Sequence, residues 1–405
     1  MKPRYAYGVM SGKKEAAGFA RVLAHSFGRK EEESATWLSR YPHDVVRVLR
    51  DARGNIAAGT ILISMGQFFG GKRVAMVGIQ GVGVAPEARG HGAATELMRR
   101  VIGELAADRT PISTLYPATQ ALYRRVGYEQ AGHRFEFKLP LALIDERERG
   151  LDVMPLTESD RDEVRAVYRA FAGEQEGTLD RTDPIWHRIE FPPPTRDVAA
   201  RGFKVVASGT GGAIEGYVYL AQQPVEGGRH DVHVHDMAAL TERAGRRLWS
   251  FLGSYSTIAN DLHWYCGPGH PMLGLLAEQP FKLGFMHYWM VRICDVKGAL
   301  EGRGYAEGLT AKLTIDVDDP LVRANHGLWR ISVAGGRAAV SRIKQRKPDL
   351  VPKIGVGIRA LAPLFSGFYS AAQLRRLGWL TGDDASARVA DGLFALRTAS
   401  MSDMF

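Results

Sequence analysis

The stretch "VGVAPEARGHGAATELMRR", residues 82–100, constrains this chain more than any other. An apolar, β-branched run predicts a strand over Val74–Val84, Pro86 interrupts it, and glycines at 90 and 92 open a helix. In that helix Ala94, Leu97, Met98, Val101, Ile102 and Leu105 fall on one face, as packing against a sheet requires. A strand that enters a helix through such a turn presents unpaired backbone N–H groups and the positive end of the helix dipole to an anion. Small residues let a bulky group approach the backbone closely. The same pattern also serves a plain strand-to-helix connection, and the residues alone leave both uses open. Two nucleotide loops are excluded. No Lys-Ser or Lys-Thr follows the glycines, and Pro86 stands where a dinucleotide fingerprint begun at Gly81-x-Gly83 needs its third glycine.

A chain of 405 residues exceeds one ordinary core, so two or three domains are expected. Two segments start alike: Val9, Met10, Arg21 and Phe27 match Val153, Met154, Arg165 and Phe171 without gaps. Each predicts a short strand, a polar turn and an amphipathic helix, which is either a duplicated fold or two unrelated starts. "HDVHVHDMAALTERAGRRLWSFL" adds a later strand and helix to the second copy. Beyond Val296 the texture changes to short strands ("LTIDVDD", "GLWRISVAGGRAAVSRI", "PDLVPKI") with a hairpin signal at Gly335-Gly336. Three helical stretches follow. The expected units are residues 1–150, 151–296 and 297–405.

The net charge of +9 favours an acidic partner, which a polyanionic cofactor satisfies as well as nucleic acid does. Cys266 and Cys294 lack a metal spacing and fit a reducing compartment. The N-terminal residues lack a signal-peptide core, and no run approaches the ~18 apolar residues that span a bilayer. A cytoplasmic protein is expected.

"VGVAPEARGHGAATELM" resembles the acetyl-coenzyme A motif of the GCN5-related N-acetyltransferases, the GNAT superfamily. The resemblance implies that Arg89, Gly90, His91, Gly92, Ala93 and Ala94 hold the pyrophosphate, while the strand at Val82, Gly83 and Val84 pairs with the pantetheine arm. The whole chain resembles the enhanced-intracellular-survival (Eis) type aminoglycoside acetyltransferases, whose chains end in phenylalanine, as "SMSDMF" does. That implies an α+β architecture: tandem GNAT folds, each a central mixed sheet flanked by helices, then a sterol-carrier-protein-like domain. It implies acetyl-coenzyme A or another acyl-coenzyme A as co-substrate, a small polycationic amine as acceptor, and a homo-oligomer, a hexamer. No metal, nucleic-acid partner or membrane is expected. In the second copy "LTERAGRRLW" lacks the proline and spaced glycines, so only the first copy is expected to bind coenzyme A.

Acyl transfer from a thioester to an amine needs an acceptor for the ammonium proton, stabilisation of the oxyanion and a proton for the thiolate. A tyrosine suits the last task, its ordinary pKa of ~10 lying near that of an alkyl thiol. "ATQALYRRVGYEQAG" supplies Tyr123 and Tyr128. The Leu-Tyr-x-x-x-Gly-Tyr spacing resembles the GNAT segment whose first tyrosine is the general acid, which assigns Tyr123 as acid and Tyr128 to the core. The alternative is that both pack. The backbone N–H of Val82 is the expected oxyanion donor. For the base, the resemblance implies the α-carboxylate of Phe405, although chain ends usually fray. Asp403 is a second carboxylate placed to hold a cationic substrate. His25, Phe27 and Trp37 either line the acceptor pocket or pack.

Other features divide the same way. Asp231, His233 and His235 share a strand face, which is a metal site or a solvated face, the latter preferred. "SRIKQRKPD" is a basic run read as a hydrated loop. Gly81 and Gly83 either leave room for acyl chains longer than acetyl or ease a bulge. Rival readings are a natural-product acyltransferase and a non-catalytic lipid- or partner-binding protein with a vestigial acyl site.

Overall fold

The computed structural model describes residues 5–190, 200–209, 212–344 and 350–405. Its first half threads strands Ala6–Val9, Val46–Arg50, Ile56–Phe69 and Lys72–Val84 in antiparallel order, followed by the parallel strand Ile112–Leu115. Ile56–Phe69 is buried on both faces and reads as a continuous apolar run, not an alternation. The hairpin after it turns at Gly70 and Gly71, both left-handed (φ +60° and +75°). Helices Gly12–Phe27 and Glu31–Leu38 pack near the strands, and helix Ala93–Ala107 makes the crossover to Ile112–Leu115.

The second half repeats this plan. Leu151–Pro155, Arg201–Ala207, Ile214–Pro224 and His230–Ala239 are antiparallel, and helix Glu242–Gly253 crosses to the parallel strand Ala259–Cys266. The duplication is therefore structural, and the two matched starts, Ala6–Val9 and Leu151–Pro155, lie at opposite ends of one 13-stranded sheet.

The halves are joined by an exchange of strands. Glu129–Pro140 leaves the first half to pair with Ala259–Cys266, and Lys282–Ile293 leaves the second half to pair with Ile112–Leu115. These two strands also pair with each other along most of their length. The expected boundary near residue 150 thus separates chain segments but cuts through the sheet.

The third unit is a five-stranded sheet ordered Arg337–Arg342, Gly327–Ala334, Ala311–Asp318, Lys353–Gly357 and Leu380–Thr381. Its hairpin turns at Gly335 and Gly336, as expected. Helices Ile358–Phe365, Ala371–Arg376 and Asp384–Phe394 complete it. It docks on the exchanged strands through Arg359 to Glu129 (2.6 Å) and the fully buried pair Arg292 and Asp319 (2.8 Å). Residues 345–349 of the basic run lie outside the described residues.

Candidate active site

Lys72–Val84 and Ile112–Leu115 stay paired for only three residues, Met76–Gly78 against Ile112–Thr114. Past Gly78 they part, and Ile79–Val84 has no strand neighbour on that side among the described residues. The result is a wedge with a free backbone edge. Its far side is kinked where Thr60 faces both Gly81 and Val82, and Gly81 takes φ +63°. The glycines there serve the bulge and helix packing. A Cβ on Gly81 would meet Trp37 at 3.1 Å, and one on Gly83 would meet Val22 at 3.0 Å and Ser26 Oγ at 3.2 Å. Of the two uses read for these glycines, the bulge is present, and the first two helices occupy the space that a side chain at either position would take.

At the end of the strand, Pro86–Ala88 forms a 3₁₀ turn and Gly90 and Gly92 follow with φ +73° and +80°. Among the described residues nothing lies within 4 Å of a Cβ built on either glycine, and no side chain caps helix Ala93–Ala107. Its first N–H groups are left open, the arrangement that an anionic phosphate fits. Ala93, not Ala94, is the small residue buried against the sheet. The Arg89 guanidinium does not face the turn: it donates to the Val84 carbonyl (3.4 Å) and the His25 carbonyl (3.3 Å). Val84 N–H donates to Ser26 Oγ at 3.3 Å, so both polar backbone groups of Val84 have partners within the protein, which corrects its expected role beside pantetheine. In the second half, Thr241 caps the equivalent helix by accepting from Ala244 N–H (3.1 Å), and Arg247 reaches the Leu151 carbonyl. That helix end is already occupied.

Beside the wedge lies a cavity of about 380 Å³ whose wall includes Phe27, Trp37, Tyr116, Tyr123, Arg188 and Phe405. His25 is not part of it. It is exposed and lines a separate groove with Lys14, Arg21 and Pro86, which corrects its expected place in the acceptor pocket.

The two tyrosines part company. Tyr128 is fully buried and shares a hydrogen bond with Ser113 Oγ (2.8 Å). Tyr123, on helix Gln120–Arg124, reaches the cavity, and burial pushes its hydroxyl up to about 12, so it stays protonated at neutral pH.

The C-terminal segment is anchored, not frayed. His133 N–H donates to the Ala399 carbonyl (3.3 Å) and the His133 carbonyl accepts from Met401 N–H (3.2 Å). Arg134 donates to the Ser402 carbonyl (2.9 Å), and Tyr116 hydroxyl to the Asp403 carbonyl (2.8 Å). The Phe405 ring then lies on Gly78, where an added Cβ would stand 2.6 Å from it. Asp403 does not face the substrate cavity. Its buried carboxylate accepts from Arg181 (3.0 and 3.1 Å), which also binds Asp236 (2.8 Å). That ion cluster fixes the tail and removes Asp403 as a substrate ligand. On its way the tail crosses a second cavity, about 310 Å³, lined by Phe171, Trp264, His270 and Ser400. It occupies the second half's own wedge, where His230–Ala239 and Ala259–Cys266 part after Val234.

Asp231 and His233 meet His263, not His235. The two imidazoles stack at 4.6 Å, and His263 Nδ1 lies 3.0 Å from Glu136. Gly78, Tyr116, Arg134 and Arg181 carried no signal in the sequence, because their roles exist only once the tail is docked.

The Acetyltransferase (GNAT) domain family matches residues 11–131, a second Acetyltransferase (GNAT) domain family matches 177–293, and the Sterol carrier protein domain family matches 296–402. A protein of Streptomyces griseus described as an "Uncharacterized N-acetyltransferase" is 28% identical over 347 residues, 80% of each chain. A GCN5-related N-acetyltransferase from Anabaena variabilis is 28% identical and superposes over 99% of this chain and 100% of its own, with a TM-score of 0.91. Eis1 from Mycobacterium abscessus, 21% identical with a TM-score of 0.77 over 99% and 100%, shares the fold. Two GNAT domains followed by a sterol-carrier-protein domain make this chain an acyl-coenzyme A-dependent N-acetyltransferase.

Proposed function

We propose that this enzyme acetylates the primary amine of a small molecule held in the cavity beside the wedge, with Tyr123 as general acid and the Phe405 α-carboxylate as general base. The observation that carries the reading is the meeting of Tyr123, Val82 and Phe405 in the wall of one cavity. Acyl-coenzyme A supplies the activated acyl group as a thioester. The open helix end at Gly92 and the free edge at Val82 suit its pyrophosphate and pantetheine. Phe405 takes the proton from the ammonium, Val82 N–H donates to the acyl oxygen, and Tyr123 returns a proton to the sulfur. A carboxylate with an ordinary pKa near ~3.5 is a weak base at neutral pH, so it must be desolvated to serve. The Phe405 residue is 6% exposed, which favours that.

The polycationic, aminoglycoside-like acceptor implied by the sequence resemblance is narrowed by this wall. No Asp or Glu side chain lines the cavity among the described residues, while Arg29 and Arg188 do. A second and third ammonium would find no counter-charge there. This wall supports a compact amine with one ammonium as the acceptor.

A C-terminal tag tests the base. It converts the carboxylate to an amide and extends a tail that is seated on Gly78. The tagged enzyme should bind acetyl-coenzyme A as an N-terminally tagged control does, yet release coenzyme A at least ~10²-fold more slowly, the scale of a lost acid or base. Equal turnover by the two proteins assigns the base elsewhere.

A further inference from the structure

The cavity wall contains polar groups that acetyl transfer does not use. Arg188, on helix Asp183–Glu190 of the second half, lines it, and its buried Nη1 makes no hydrogen bond among the described residues. Ser34, on helix Glu31–Leu38, lines the same cavity; it is 2% exposed, and its Oγ likewise has no partner among the described residues. A buried guanidinium N–H and a buried hydroxyl left unpaired are costly, and such groups persist where a ligand completes them. Tyr41 sits near the same guanidinium. Burial raises its hydroxyl above the ordinary value and the Arg188 charge partly offsets this, while the hydroxyl itself is committed to Gln80 (2.7 Å). Arg29 adds a second positive charge to the wall. Apart from Gln80, whose amide oxygen Tyr41 occupies, much of the remaining surface is apolar or aromatic, with Leu23, Phe27, Trp37 and Ile79.

We propose that the amine acetylated here carries an oxyanion group, a carboxylate or a phosphate, on an apolar or aromatic body, and that Arg188 with Ser34 binds that oxyanion. This rests on the cavity being the acceptor site of the acetyl transfer proposed above. The arginine fork needs acceptors, the hydroxyl can donate to the same group, and an oxyanion supplies both the lone pairs and the opposite charge. A neutral acceptor lacks that charge, and a polycation adds like charge beside Arg29 and Arg188. The flat walls of Phe27 and Trp37 suit a ring between the two charged ends. Arg188 comes from the second half, so that half would shape specificity without binding coenzyme A itself.

The test uses the full chain, acetyl-coenzyme A and four amines: 4-(aminomethyl)benzoate, (4-aminomethyl)phenylphosphonate, the neutral 4-(aminomethyl)benzamide, and spermidine. Coenzyme A release gives kcat/KM, and calorimetry on the enzyme saturated with coenzyme A gives amine affinity. One of the two oxyanion-bearing amines should exceed the benzamide and spermidine at least 10-fold, and the better of the two identifies the anion. Arg188→Gln should raise KM for that amine and bring its ratio to the benzamide close to one. Ser34→Ala should do so more weakly, with both variants melting near the parent. Preference for spermidine or the benzamide, or a ratio that survives Arg188→Gln, overturns the proposal. So does acetyl-coenzyme A binding without affinity for either oxyanion-bearing amine. Failure to bind acetyl-coenzyme A would instead sink the transferase reading beneath it.

Discussion

Tyr123 and Tyr128 stand five positions apart and their rings meet edge to face at 5.9 Å, yet only one hydroxyl opens on the cavity. Tyr123→Phe should therefore lower kcat by ~10²-fold with acetyl-coenzyme A affinity kept, while Tyr128→Phe should mainly cost about 1 kcal/mol of stability through its lost bond to Ser113. Steady-state kinetics and urea unfolding separate the two, and a reversed pattern would exchange the assignments. Gly78 makes a different demand. Its φ is ordinary, so any residue fits its backbone, but a methyl there runs into the Phe405 ring and Met65 Cε, each 2.6 Å from the added carbon. Gly78→Ala should displace the ring and depress turnover at least 10-fold while leaving acetyl-coenzyme A affinity within about 2-fold. If calorimetry and kinetics show turnover unchanged, the seat of the ring is not needed for catalysis.

At the scale of elements, the second wedge gives the clearest pH signature. His270 Nδ1 accepts from Met272 N–H (3.3 Å), and the ring packs on Trp264 at 4.4 Å. Burial lowers its pKa from the usual 6.5 to about 3, and burial with the neighbouring His263 charge lowers His233 to about 4. Between those values and 6.5 the unfolded chain binds protons that the native protein does not. Stability should therefore fall as pH drops below 6.5, by up to about 1.4 kcal/mol per pH unit for each group. Urea midpoints at pH 7.5 and 5.5 measure this. His270→Asn, which keeps an acceptor for Met272, should flatten the slope, and an unchanged slope would exonerate His270. The turn at residues 89–94 and its helix were legible in the sequence because glycine, proline and an apolar stripe act locally. The placement of Arg89, His25 and Asp403 was not, since each is decided by partners far away in the chain: Arg89 spans to the first helix, and Asp403 answers Arg181 and Asp236.

The whole molecule is less divisible than its sequence suggests. Glu129–Pro140 and Lys282–Ile293 carry similar aromatic, half-alternating patterns, so nothing in either strand announces which half it joins. Residues 1–150 made alone would leave Ile112–Leu115 and Glu129–Pro140 without the strand Lys282–Ile293 that lies between them. They should give a collapsed NMR spectrum and no acetyl-coenzyme A binding, with both recovered on co-expression of residues 151–405. A well-dispersed spectrum from the fragment alone would show that the exchange is dispensable. The same exchange imposes a schedule during synthesis. Lys282–Ile293 reaches the ribosome exit about 180 residues after Leu115, which at about 5–20 residues per second means a wait on the order of 10–40 s. Through that interval the half that carries the coenzyme A turn has an open sheet edge in the cell, and chaperone occupancy of nascent chains should peak there.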